Sequence, residues 1–181
     1  MSDIQQDKFL SIPGWFNFSD IYRHAVKTAE SGAHFVEIGC WLGRSTVFMG
    51  TEILNSGKDI RFDAIDNWKG SSPQQLMYAA KNDVYREFLK NIKGLPINPV
   101  RMDSLEAVKR YKDGSLDFVF IDASHDYVNV KADGEAWLPK VKKGGVIAGH
   151  DYTNSYPGLI RAVKEVFKNY DVINSSWIVK V

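Results

Sequence analysis

The chain has 181 residues, 23 basic against 22 acidic side chains, and a formal net charge of +1. That length suits a single domain spanning 1–181, and so even a balance gives no field to steer DNA or RNA, so no nucleic-acid partner is expected. No apolar stretch approaches the ~18 residues of a membrane span, residues 1–8 are too polar for a secretory signal, and Cys40, the single cysteine, excludes an internal disulfide or thiolate zinc site; a cytoplasmic location away from any membrane is expected.

Residues 1–33 read as a helical lead-in, with a helix over 19–31 that Ser19 caps and Gly32 stops. Apolar runs at 34–38, 60–65, 98–102, 116–121 and 145–149 predict strands, with helices between them over 45–55, 73–92, 104–111, 129–138 and 159–169. Strand–helix alternation of this kind predicts an α/β, Rossmann-like doubly wound sheet of mostly parallel strands. Phe118-Val119-Phe120-Ile121 is its clearest buried strand. The last two of seven predicted strands, 171–174 and 177–181, are separated only by Ser175-Ser176. So short a link forces an antiparallel C-terminal hairpin, because a parallel pair needs a crossover of a dozen or more residues.

The first strand carries the most chemistry. Val36-Glu37-Ile38 runs into Gly39, Gly43 follows, and Ser45 opens a helix. A strand, a glycine turn and a helix in that order form a ligand cradle at the carboxyl end of a parallel strand. Gly39 permits the tight turn, and Gly43 lets the helix approach the ligand. A phosphate cradle wants bare N–H groups and positive charge, whereas Glu37 suits a ligand with ammonium or hydroxyl donors. That points away from ATP and NAD and toward S-adenosylmethionine. Ser45 either donates to that ligand's carboxylate or caps the helix. Asp66 ends the second strand, where a carboxylate can accept both hydroxyls of a ribose. Trp68 can flank a base or simply pack, and Ser104, next to Asp103 after the third strand, can also cap a helix.

Five segments carry a family resemblance: Glu37 to Ser45, Ala64-Ile65-Asp66-Asn67-Trp68, Met102-Asp103-Ser104, Phe120-Ile121-Asp122-Ala123-Ser124-His125, and Gly144 to Tyr152. In this order and spacing, with the antiparallel tail, the chain resembles the class I S-adenosylmethionine-dependent methyltransferases. More narrowly, it is similar to the catechol-type and small bacterial sugar and antibiotic O-methyltransferases. The resemblance implies S-adenosylmethionine as cofactor, bound by Glu37, Gly39, Gly43, Ser45, Asp66, Trp68, Asp103, Ser104 and Asp122. It implies a small hydroxylated acceptor and, as in several members of that branch, a homodimer. Asp122 and Asp151, at the ends of the fourth and fifth strands, are placed to share Mg²⁺ or another divalent cation. The chain departs from the catechol-type pattern at the third ligand: Tyr152 stands where an Asn usually follows, and His150 precedes and is the candidate here. His125 and His150 are the candidate general bases, with Asp122, at the reacting end, and His24 and His34 look structural. Trp41, Tyr127 and Tyr152 are candidate pocket walls, and residues 1–18 and 70–97 candidate pocket and lid pieces, the latter a helical insertion. A nicotinamide oxidoreductase is disfavoured by Trp41, where its second loop glycine would stand. A non-catalytic cofactor-binding domain is the remaining alternative.

Overall fold

The computed structural model describes residues 8–181; the calls on residues 1–7 lie outside the described residues. Seven strands make one sheet: β1 (His34–Ile38), β2 (Arg61–Asp66), β3 (Asn98–Arg101), β4 (Leu116–Ile121), β5 (Val141–Gly149), β6 (Asp171–Ile173) and β7 (Ser176–Lys180). Their order is β3-β2-β1-β4-β5-β7-β6. β1 to β5 pair in parallel, and β7 runs antiparallel to both β5 and β6. Among the described residues the α-helices are α1 (Ser19–Thr28), α2 (Arg44–Ser56), α3 (Pro73–Ala79), α4 (Val84–Asn91), α5 (Ser104–Ala107), α6 (Tyr127–Trp137) and α7 (Pro157–Val166). Among the described residues, no helix is long and apolar enough to cross a membrane.

Both faces of the central strands are apolar, as burial beneath two helical layers requires. Phe35, Phe62, Phe118 and Phe120 pack with residues of α1 and α2 on one face. Val36, Ile38, Val119, Ile121 and Ile147 meet Ala107, Trp137, Leu159 and Val163 on the other. The two-residue alternation of a strand therefore sends Glu37 toward α1 and α2, on the face of Phe35.

Element ends differ from expectation for local reasons. Phe18, not Ser19, is the cap position of α1, and no side chain caps it. The single helix expected over 73–92 is two. Ser72 and Gln75 form a reciprocal capping box at the start of α3. Asp83 then starts α4 by accepting from the Arg86 N–H at 3.1 Å. Asp126 caps α6 the same way through Asn129 N–H at 3.0 Å. Ser104 is the first residue of α5, and Asp103 holds the cap position. The C-terminal hairpin turns through Asn174 and Ser175, both at positive φ (47° and 64°), the conformation of a tight primed turn.

At the amino ends of the strands one carboxylate ties three of them together. Asp63 on β2 is buried and takes hydrogen bonds from Asn98 on β3 (2.8 Å) and from the Tyr111 hydroxyl (2.9 Å), and pairs with His34 on β1 (2.8 Å). Burial alone would raise its pKa. The hydrogen bonds from His34, Asn98, Arg61 and Tyr111 outweigh burial and hold it well below the usual carboxylate range. Asp63→Ala should cost about 3 kcal/mol of unfolding free energy at neutral pH, because it strands these buried donors. Urea denaturation measures the loss. The depressed pKa adds stability above the unfolded-state value that is lost as pH falls through the folded one, so wild type and variant should converge in acid.

Candidate active site

The strand order reverses between β1 and β4, and open α/β sheets hold ligands outside the carboxyl ends at such a point. A cavity of about 470 Å³ lies there, lined by Ile38 and Gly39 after β1, Asp66 and Asn67 after β2, Met102 to Leu105 after β3 and Asp122 to Ser124 after β4. Asp126, the cap of α6, and Asn129 and Asp133 on that helix close it on one side, and Gly70 and Ser71 before α3 and Gln75 on it close it on another.

The floor of the β1 loop is Glu37, 1% exposed. Its Oε1 accepts from the Tyr22 hydroxyl on α1 (3.0 Å) and from the Ser45 hydroxyl on α2 (2.5 Å). Its Oε2 is buried with no hydrogen-bond partner among the described residues. Burial raises the Glu37 pKa to about 7, against the pull of the Ser45, Thr46 and Tyr22 hydroxyls; Thr46 lies close enough to favour the charged form but off hydrogen-bond geometry. A buried acid with one orphaned oxygen lacks a donor. An ammonium group supplies that donor, so the residues fit the amino-acid end of S-adenosylmethionine. Ser45 has its hydroxyl committed to Glu37, and neither residue is on the cavity wall: Glu37 lies directly behind Ile38 and Gly39, which are.

Gly39 sits at φ +90°, and a Cβ there would stand 2.1 Å from the Asp122 carbonyl oxygen. No other residue fits between the β1 and β4 loops. Gly43, also at φ +90°, faces the Phe88 ring on α4 instead of the cavity. Asp66 organises the rest of the loop. Its Oδ2 accepts from Trp41 N–H (2.8 Å) and its Oδ1 from Trp68 N–H (2.7 Å), and it still lines the cavity. Trp68 is elsewhere. Its ring is 4% exposed, lies 4.7 Å from Phe88, and donates its indole N–H to the Trp41 carbonyl (2.8 Å). This corrects the expectation that it flanks a base: the positive-φ turn at Trp68 swings the indole into the core. Asp103 and Ser104 do line the cavity. Asn67 donates to Asp103 at 2.8 Å, and Ser104 accepts the Trp137 indole N–H at 2.7 Å.

The other end of the cavity meets a polar cluster. Ligand atoms of Asp122, His125 and Asp151 all lie within 4.8 Å of one another. His125 Nε2 is 2.8 Å from Asp151 Oδ2, and the His125 ring lies 4.4 Å from the Tyr156 ring. Burial raises the Asp122 pKa to about 6. For Asp151, burial is outweighed by hydrogen bonds from His125 and His150, which depress its pKa. The hydrogen bond that His125 donates to Asp151 raises the His125 pKa. Asp151 has φ +60°, a left-handed backbone that aims the carboxylate back at His125.

His150 was expected as the third ligand of a metal; the cluster that could hold one brings His125, not His150, together with Asp122 and Asp151. His150 is 8% exposed, and its Nε2 is 2.7 Å from Asn17 Oδ1. Its Nδ1 is 3.4 Å from Asp151 and 3.9 Å from Asp122. It therefore pins the segment before α1 against the reacting end and stands one layer behind the cluster. Two expected pocket walls point away. The Tyr127 hydroxyl donates to Glu165 on α7, and Tyr152 pairs with Tyr170; Trp41 alone of the three lines the cavity. Sequence reasoning placed Asn17 within a pocket piece but missed its contact with His150, and it missed Tyr156 and the polar residues Asp126, Asn129 and Asp133 at the cap and on the body of α6.

Known proteins share this fold. A curated relative, the uncharacterized protein y4gI of Sinorhizobium fredii, is 29% identical over 89 residues, 49% of this chain and 10% of its own length. The chain thus spans about a tenth of the curated relative it matches. The structure of the O-methyltransferase NovP superposes with a TM-score of 0.68 at 16% identity, covering 90% of this chain and 78% of NovP. An O-methyltransferase from Bacillus cereus in complex with SAH gives 0.62 at 17% identity, covering 98% of this chain and 90% of that one. These likenesses establish a shared fold. The sequence pattern of the methyltransferase domain matches residues 36–152, nearly two thirds of the chain and all the strand ends that line the cavity, and the chain belongs to that methyltransferase-domain family.

Proposed function

We propose that the protein transfers the methyl group of S-adenosylmethionine to a hydroxyl of a small polar acceptor of the sugar or natural-product type. The observation that carries this reading is the double membership of Asp122, which lines the cofactor cavity and belongs to the Asp122–His125–Asp151 cluster. A group that can activate a hydroxyl thereby adjoins the expected methyl end of the cofactor. Glu37 would receive the ammonium, the turn at Gly39 would admit the methionine chain, and Asp66 would accept from the ribose. The base would lie toward Asp103 and Ser104. The NovP and Bacillus cereus likenesses support oxygen as the methylated atom.

Two carboxylates and an imidazole also fit a divalent cation, with the imidazole favouring a metal softer than Mg²⁺. Held by Asp122, His125 and Asp151, such an ion would lower the pKa of an acceptor hydroxyl. The close His125–Asp151 pair favours a second reading, in which His125 itself takes the proton and Asp151 orients it. Methyl transfer needs alignment above all, and the protein's share is to hold the acceptor oxygen in line with the sulfonium methyl.

Titration calorimetry with S-adenosylmethionine and with NAD tests the assignment. Binding of the first and not the second is expected; NAD binding alone would overturn it. Methyl transfer to a panel of hydroxylated sugars and phenols then identifies the acceptor.

A further inference from the structure

The cavity wall carries five carboxylates, Asp66, Asp103, Asp122, Asp126 and Asp133, and among the described residues no Lys, Arg or His side chain. Neutral donors hold all but Asp122. Asp66 accepts from the Trp41 and Trp68 backbone N–H groups, and Asp103 from the Asn67 amide. Asp126 accepts from the Ser124 hydroxyl (2.5 Å) and the Asn129 side chain (2.7 Å), and Asp133 from the Ser104 hydroxyl. Such dipoles orient a carboxylate and leave its charge uncancelled. Asp122 alone faces imidazoles, with His150 Nδ1 at 3.9 Å and His125 in its cluster, and neither ring is on the wall. Arg110 is exposed and touches the Met102 sulfur at 3.6 Å, and it too is off the wall. A concave surface lined by one sign of charge focuses its field on whatever enters. Independently, the orphaned Oε2 of Glu37, buried behind Gly39, lacks a donor that a cation would supply.

We infer that this acidic wall sorts the cofactor by charge, holding cationic S-adenosylmethionine and releasing neutral S-adenosylhomocysteine, with Asp103 and Asp126 contributing to the difference. The inference rests on the proposed cofactor reading and adds the device that clears the product. In the transfer, the acceptor oxygen bonds to the methyl carbon and the carbon–sulfur bond breaks, its electron pair passing to sulfur. The hydroxyl proton leaves to a base or to solvent. The sulfonium thereby becomes a thioether, and the cofactor loses its net positive charge. Donor and product share the adenine, the ribose, the ammonium and the carboxylate, so every contact with those groups cancels between them. What remains is one charge, set against a wall with no cation of its own. That attraction favours the donor before the reaction and is gone after it. Asp103 and Asp126 are exposed, so their share reaches the ligand partly through solvent and weakens with salt.

The test is calorimetry with S-adenosylmethionine and S-adenosylhomocysteine at pH 8, above the raised pKa values of Asp122 and Asp133, both about 6. In about 0.05 M salt, wild type should prefer the methylated compound by about tenfold or more, and about 1 M salt should reduce that preference several-fold. The double variant Asp103→Asn/Asp126→Asn keeps an acceptor oxygen at both helix caps and removes two charges. It should weaken S-adenosylmethionine about fivefold and leave S-adenosylhomocysteine within about twofold of wild type. Circular dichroism reports whether the variant is folded. Wild-type affinity for S-adenosylhomocysteine equal to or above that for S-adenosylmethionine would overturn the inference even if the variant does not fold. So would a variant that weakens both compounds equally or neither, since lost hydrogen bonds or a merely structural role would leave the ratio unchanged. Failure of wild type to bind either compound would instead overturn the cofactor reading beneath it.

Discussion

Glu37→Gln should stabilise the ligand-free protein at pH 8 and weaken S-adenosylmethionine binding about a hundredfold. The two effects share one cause. Burial lifts the Glu37 pKa from 4.5 to about 7. A group whose folded pKa is raised contributes stability that is present below its unfolded value and lost as pH rises through the folded value. The ligand-free wild type should therefore lose up to about 3 kcal/mol from this group between pH 4.5 and pH 8, and Gln, which never ionises, should lose none of it. Binding reverses the sign. The orphaned Oε2 needs a cationic donor, and a hydrogen bond between charged partners is worth about 1.5–3 kcal/mol. Thermal melts from pH 5 to pH 8, with and without the cofactor, separate the two terms. A variant that melts lower at pH 8 and still binds normally would make Glu37 a structural acid.

Much of the cradle was legible because its logic is local. Glu37 stands out inside an apolar strand, the glycine next to it has a backbone reason, and Asp66 ends a strand that the hydrophobic pattern marks. The short link before β7 dictated its direction by geometry alone. The errors fall where orientation depends on the third dimension. Trp68 follows Asp66 by two residues, and only the fold shows that its ring turns inward to Phe88. Gly43 was legible as a turn residue, but its neighbour is Phe88 and not a ligand. His125 and His150 each flank a strand-end aspartate, and no spacing distinguishes them. The Asn17–His150 contact joins residues 133 positions apart. Asp133 carries a readable signal: it shares a helical face with Val130 and Trp137, so it is an acid in an apolar stripe, as Glu37 is in an apolar strand.

Asp151→Asn should lower kcat about 10²- to 10³-fold while leaving S-adenosylmethionine affinity nearly unchanged. Asn is the informative substitute because it tolerates the left-handed backbone that residue 151 adopts at φ +60°, so the loop should keep its shape. The affinity should hold because Asp151 is off the cavity wall and, unlike Glu37, has its carboxylate already paired, with His125 and His150. What the variant loses is the carboxylate 2.8 Å from His125, and chelation then separates the two readings of the cluster. If a cation is held there, EDTA should reduce wild type to the level of the variant, and a divalent metal should restore wild type alone. If His125 works as a base, EDTA should do nothing. The acidic limb of the rate profile should then move to lower pH in the variant, because the Asp151 hydrogen bond is the largest influence raising the His125 pKa. His125→Gln should be slow in either case, since both readings use the imidazole. Wild-type rates from both Asp151→Asn and His125→Gln would leave Asp122 and the alignment of the two substrates as the whole of the chemistry.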